Sequence, residues 1–106
     1  MIAFILAALL AAPAQDKVIQ VTAERFKFTP GIIHLKAGEP VVLEITSLDR
    51  KHGFSVPDLN IDENVEAGKV TRVRIVPAKA GTFDFHCSVF CGGGHEEMAG
   101  QIVVDP

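Results

Sequence analysis

The clearest alternation of hydrophobic and polar positions lies over Val70–Val76, where Thr71, Val73 and Ile75 share one face and Arg72 and Arg74 the other. A two-residue period of this kind predicts a half-buried β-strand. The same period recurs over Val41–Thr46, with Val41, Leu43 and Ile45 on one face, and at Ile33 and Leu35, which alternate with His34 and Lys36. From Lys17 onward, Val18, Gln20 and Thr22 alternate with Ile19, Val21 and Ala23, a weakly polarised first strand. Thr82–Cys87 sets Phe83, Phe85 and Cys87 against Asp84 and His86; a short run covers Phe54–Val56, and a last strand runs over Gln101–Val104. Ala37-Gly38-Glu39-Pro40 and Pro77–Gly81 break the chain between strands. No segment sustains a helical period for three turns. The chain therefore reads as all-β, an antiparallel sandwich or barrel.

Ahead of the first strand the pattern changes. Residues 1–14, MIAFILAALLAAPA, carry no charged side chain. Ile2–Ala12 would span roughly 16 Å as a helix, against a hydrocarbon core of about 30 Å, so it is too short to cross a bilayer alone. Ala12-Pro13-Ala14 closes the run with a small-x-small sequence. The expectation is a secretory signal peptide over residues 1–14, cut before Gln15. Residues 15–106 then form a soluble, exported (periplasmic) domain without a transmembrane span, with Met98 as its sole methionine. No Lys or Arg precedes the apolar run, so an uncleaved N-terminal anchor or a misassigned start codon is the alternative.

Composition narrows the chemistry. The 106 residues, 48% hydrophobic and 22% charged, suffice for one domain with a modest core and not for two. A net charge of −3 speaks against a nucleic-acid surface built on bulk charge. Lacking Trp and Tyr, the chain has no tyrosyl general acid and no platform of the usual kind for stacking bases or sugars. Two cysteines cannot build a multi-disulfide scaffold. Asp58, Asp62, Glu63 and Glu66 form an acidic run free of basic residues, read either as a solvated loop or as a docking face for a basic partner.

The segment between the last two strands is of another kind. Ser88–Gly100 holds Gly92, Gly93, Gly94 and Gly100 together with Cys91, His95 and Met98. Three consecutive glycines weaken any element they sit in, so the backbone here is expected to wrap closely around something. With Cys87 the spacing is C-x3-C-x3-H-x2-M. Thiolate, imidazole and thioether make a soft donor set, which selects copper, whereas carboxylates and carbonyls suit Mg²⁺, Ca²⁺ and Mn²⁺. Zinc would accept two Cys and one His, but the spacing is not that of a zinc knuckle and zinc has no use for Met. His52, in Arg50-Lys51-His52-Gly53-Phe54 just past the Val41–Ser47 strand, is placed to complete the set from a different strand end. A disulfide between Cys87 and Cys91 is the competing reading for an exported chain; it leaves His95 and Met98 without a role. His34 shares a face with Lys36, and His86 points away from Cys87, so both are expected to be ordinary histidines outside the site. Phe90, between the cysteines, either covers the site or packs in the core.

The motif His52-Gly53-Phe54, two cysteines four apart, His95, Met98 and the final Gly100-Gln101-Ile102-Val103-Val104 strand together resemble the copper-A site of cytochrome c oxidase subunit II and of nitrous oxide reductase. The likeness covers roughly residues 40–105, and Lys17–Pro106 is compatible with the cupredoxin fold, a Greek-key β-sandwich. The resemblance implies a binuclear site with two copper ions bridged by Cys87 and Cys91. His52 and His95 would each bind one ion, with Met98 sulfur and the Val89 carbonyl as weak ligands. Where Val89 stands the family often has an acidic residue that joins a neighbouring Mg²⁺ or Mn²⁺ site, so no second metal of that kind is expected.

Two thiolates shared by two copper ions spread one unpaired electron over the pair, so each bond changes little on oxidation and the rearrangement cost of electron transfer is small; axial ligands and burial tune the potential. Coordination filled by protein leaves no open position for substrate, which favours an electron carrier over an enzyme. The expected partners are redox proteins such as cytochrome c or a terminal oxidase. Oxidase subunits of the family carry two transmembrane helices ahead of the copper domain and a tryptophan that receives electrons; neither is found in this sequence, so a stand-alone carrier is expected. The alternatives are a mononuclear blue-copper carrier and a periplasmic copper delivery or storage protein.

Overall fold

The computed structural model describes residues 15–106; the expected signal peptide lies outside them. Among the described residues nine strands follow one another: β1 (Lys17–Glu24), β2 (Lys27–Thr29), β3 (Ile32–Lys36), β4 (Val41–Ser47), β5 (His52–Val56), β6 (Ile61–Val65), β7 (Val70–Ile75), β8 (Gly81–His86) and β9 (Ala99–Asp105). They build a four-stranded sheet in the order β2-β1-β4-β7 and a five-stranded sheet in the order β3-β9-β8-β5-β6.

The two-residue period decides which side chains meet between the sheets. Val21 and Ala23 of β1, Val41, Leu43 and Ile45 of β4, and Val73 and Ile75 of β7 are buried from one layer. Ile33, Leu35, Phe54, Val56, Phe85, Ile102 and Val104 are buried from the other. Each large side chain so removed from water contributes about 1.5–3 kcal/mol. Phe28 of β2 bridges the layers, its ring edge-on to Phe54 at 5.9 Å and to Phe85 at 5.1 Å. His34 and His86 are exposed on the outer face of the second sheet, as expected.

The sandwich is not purely antiparallel. β1 runs parallel to β4, Lys17 to Ala23 opposite Val41 to Ser47, and β3 runs parallel to β9. After β1 and β2 the chain crosses to the opposite sheet for β3 and returns for β4 beside β1, in the same direction. Alternation along a strand looks the same in either pairing, so the sequence pattern cannot distinguish them.

Two strands carry no sequence signal of their own. β2 has three residues, and β6 shows Asp62, Glu63 and Asn64 to solvent. The acidic run is therefore not a loop throughout: Asp62 and Glu63 sit on the edge strand β6, and Glu66 pairs with Lys51 at 3.4 Å. β5 begins at His52 rather than at Phe54, and all five of its residues are buried. No helix among the described residues is long and apolar enough to cross a membrane.

Candidate metal centre

Two connections meet at one end of the sandwich: the β4–β5 loop, which delivers His52, and the long β8–β9 loop, which delivers the other candidate donors. In the β4–β5 loop the Ser47 hydroxyl donates to the Arg50 carbonyl, and the Arg50 N–H donates to Asp49 Oδ1 at 2.7 Å. This tight turn sets His52 at the first position of β5, opposite Val65. The β8–β9 loop is closed at its base, where the Cys87 N–H donates to the Met98 carbonyl at 2.9 Å. A single 3-10 turn over His95–Glu97, with the His95 N–H on the Gly92 carbonyl and the Met98 N–H on the His95 carbonyl, each at 3.2 Å, winds the loop back into β9.

Gly53 is what lets the two connections touch. A Cβ built there would lie 2.9 Å from the backbone nitrogens of both Ser88 and Val89 and would overlap the Ser88 hydroxyl. With hydrogen in that place the cysteine loop crosses directly over β5, and the Gly53 N–H points at Cys87 Sγ, 3.5 Å away.

The donors converge as a result. Cys87 and Cys91 are free thiols with their sulfurs 3.6 Å apart. His52 Nδ1 lies 3.8 Å from Cys87 Sγ, and His95 Nδ1 lies 3.5 Å from Cys91 Sγ. Met98 Sδ is 3.7 Å from Cys91 Sγ, and the Val89 carbonyl oxygen is 3.1 Å from Cys87 Sγ. One donor atom each from His52, Cys87 and Cys91 falls within a 4.8 Å cluster. His52, Cys87, Cys91 and Met98 are buried and His95 is half-buried. Soft sulfur and imidazole donors in so small a space fit a soft metal such as copper.

Electrostatics act differently on the histidine and the thiol donors. His52 Nε2 lies 2.6 Å from Asp49 Oδ1, which holds the ring proton on Nε2 and keeps the Nδ1 lone pair directed at the sulfurs. Asp49 Oδ2 also accepts the Arg25 N–H at 2.8 Å. Desolvation opposes the Asp49 charge, yet the bonds from Arg25, His52 and Arg50 outweigh it and hold the carboxyl down at about 2. Burial, followed by the neighbouring Cys87, pushes the Cys91 thiol up to about 11.

All six sequence-predicted positions thus lie together, and His34 and His86 do not join them. Phe90 is not a core residue: it is 72% exposed, with its ring centroid 5.5 Å from that of His95. Asp49 escaped the sequence reading, although an acid three residues before a candidate ligand histidine is a usable signal for a partner of its ring. Phe26 escaped it too. Its ring occupies the space that side chains at Gly92 and Gly94 would need, which identifies what the glycine run wraps around. Nothing local in the sequence announces that contact.

A family model described as a cupredoxin-like domain matches residues 1–104. Cytochrome c oxidase subunit 2 of Thermus thermophilus is 38% identical over 86 residues, which make up 81% of this chain and 64% of that protein. Nitrous-oxide reductase of Cupriavidus necator is 31% identical over 91 residues, covering 82% of this chain and 14% of that one. The chain therefore spans only part of the length of these relatives. The periplasmic domain of subunit II of cytochrome oxidase (CoxB) of Bradyrhizobium japonicum shares the fold, with a TM-score of 0.79 at 19% identity over 88% of this chain and 86% of that one.

Proposed function

The chain belongs to the cupredoxin-like domain family, and on that premise we propose that it is an exported electron-transfer protein with a binuclear copper site of the cytochrome c oxidase subunit II type. One observation carries the reading: two sulfurs 3.6 Å apart, each with its own imidazole nitrogen beside it at 3.8 and 3.5 Å. Cys87 and Cys91 are assigned as bridging thiolates and His52 and His95 as one imidazole for each ion. Met98 sulfur and the Val89 carbonyl are the weak ligands. A second sulfur at this distance from the first favours two ions over a mononuclear site.

Copper held there supplies one-electron oxidation and reduction. His52, both cysteines and Met98 are buried, which limits the access of water and substrate to these four donors and supports the electron-carrier reading. His95 reaches toward the surface, and the exposed Phe90 ring lies against it. The partners that fit are redox proteins such as a cytochrome c or a terminal oxidase, the class to which the Thermus relative belongs by name.

Copper reconstitution tests the assignment. Two copper ions per chain, with hyperfine structure from an electron shared by two nuclei and lost in Cys91→Ser, are expected. One copper per chain with the hyperfine pattern of a single nucleus overturns it. Rapid exchange of Cu(I) with a chelator and no electron exchange with a c-type cytochrome would instead indicate copper delivery or storage. Export rests on the apolar run at residues 1–14, and N-terminal sequencing of the secreted protein is expected to begin at Gln15.

A further inference from the structure

The turn between β1 and β2 touches both ligand-bearing connections, although it contributes no ligand. On one side the Arg25 N–H donates to Asp49 Oδ2 at 2.8 Å, and Asp49 in turn holds His52 at 2.6 Å. The Leu48 N–H donates to the Ala23 carbonyl at 2.9 Å, a second tie between the same hairpin and the β4–β5 loop. On the other side the half-buried Phe26 ring lies against Gly92 and Gly94, in the segment that leads from Cys91 to His95. A Cβ at Gly92 would come within 2.9 Å of that ring, and one at Gly94 closer still, whereas one at Gly93 would meet nothing within 4 Å. The glycines at the two contacting positions thus match the aromatic face, and the one between them does not.

We propose that Arg25 and Phe26 form a clasp that joins the two ligand loops, and that this clasp slows the loss of copper held between them. The proposal rests on the copper reading given above. Arg25 braces His52 through Asp49, and Phe26 presses the glycine segment that carries His95, so the two halves of the donor set move as one body. Gly94 has φ −97° and ψ 13°, a bridge-region backbone open to L-residues, as at the third position of a type I turn, so Gly94→Ala acts chiefly by displacing the ring.

The test compares copper loss from the loaded full chain to bicinchoninate, a Cu(I) chelator, in the wild type, Phe26→Ala, Gly94→Ala and Gly93→Ala. Phe26→Ala and Gly94→Ala are expected to release copper about tenfold faster, the factor that loss of about 1.4 kcal/mol of apolar packing in the clasped state would give. Gly93→Ala, whose methyl meets open space, is expected to match the wild type. Combining Phe26→Ala with Gly94→Ala is expected to add little to either alone, because both remove one contact. Release from Phe26→Ala and Gly94→Ala within about twofold of the wild type overturns the clasp. Gly94→Ala carries the test by itself should Phe26→Ala fail to fold.

A second readout needs no metal. The N–H groups of Leu48, His95 and Glu97 are hydrogen-bonded in the two loops, and their exchange can be followed in protein prepared without metal. The clasp predicts that Gly94→Ala speeds amide exchange at all three together; acceleration confined to His95 and Glu97 overturns the coupling. A wild type that binds no copper refutes the copper reading, while amide exchange still judges the clasp.

Discussion

Replacing Asp49 with alanine deprives a fully buried imidazole of its partner. His52 is 0% exposed, and its Nε2 lies 2.6 Å from Asp49 Oδ1. A buried donor left without an acceptor costs about 1–3 kcal/mol. The N–H groups of Arg25 and Arg50 also lose Asp49, but both sit at exposed residues and turn to water, each losing at most about 1 kcal/mol net. Asp49→Ala is therefore expected to destabilise the metal-free protein by about 2–4 kcal/mol. Asp49→Asn keeps an acceptor oxygen and is expected to cost about half as much. Urea unfolding at neutral pH measures both as shifts of the midpoint at constant slope. Acid supplies an internal check. The folded carboxyl is held at about 2, below its ordinary 3.8, so its contribution is complete above the ordinary value and is lost as the pH falls from there toward about 2. The gap between wild type and Asp49→Asn must narrow over that interval. A cost below about 0.5 kcal/mol for Asp49→Ala, or a gap that acid leaves unchanged, would refute the role given to Asp49.

Two further outcomes test the frame around the site. Phe85 is 0% exposed and packs between Phe28 and Phe54 at centroid distances of 5.1 and 5.0 Å, so Phe85→Ala is expected to cost about 3–5 kcal/mol in the same unfolding assay. Gly53→Ala would thrust a methyl at the backbone of Ser88 and Val89. It is expected to cost about 1–3 kcal/mol and to alter the spectrum of the copper-loaded protein, because the Val89 carbonyl is carried away with the loop.

Why some of this was readable in advance and some was not follows from the range of the forces involved. The strands β4, β7 and β8 announce themselves because burial on one face imposes a period of two on consecutive residues. β6 gives no such sign: as an edge strand it shows Asp62, Glu63 and Asn64 to solvent, and its polarity resembles that of a loop. The Gly92–Gly94 run signalled a close approach, but not to what, since Phe26 lies in a hairpin more than half the chain away. His52 was legible as a candidate ligand, yet its brace was not, because Asp49 is defined as a partner only by the turn that folds it back onto the ring.

Local order along the chain thus determined the all-β character and the candidate donors Cys87, Cys91, His95 and Met98, whose spacing lies within one loop. Tertiary structure alone decided that β1 lies parallel to β4 and β3 parallel to β9. It also decided that Gly53 meets Cys87 across 34 positions and Arg25 meets Asp49 across 24. Those contacts arise where two sheets close over one core, and a pattern confined to neighbouring residues holds no record of which distant backbone will arrive beside it.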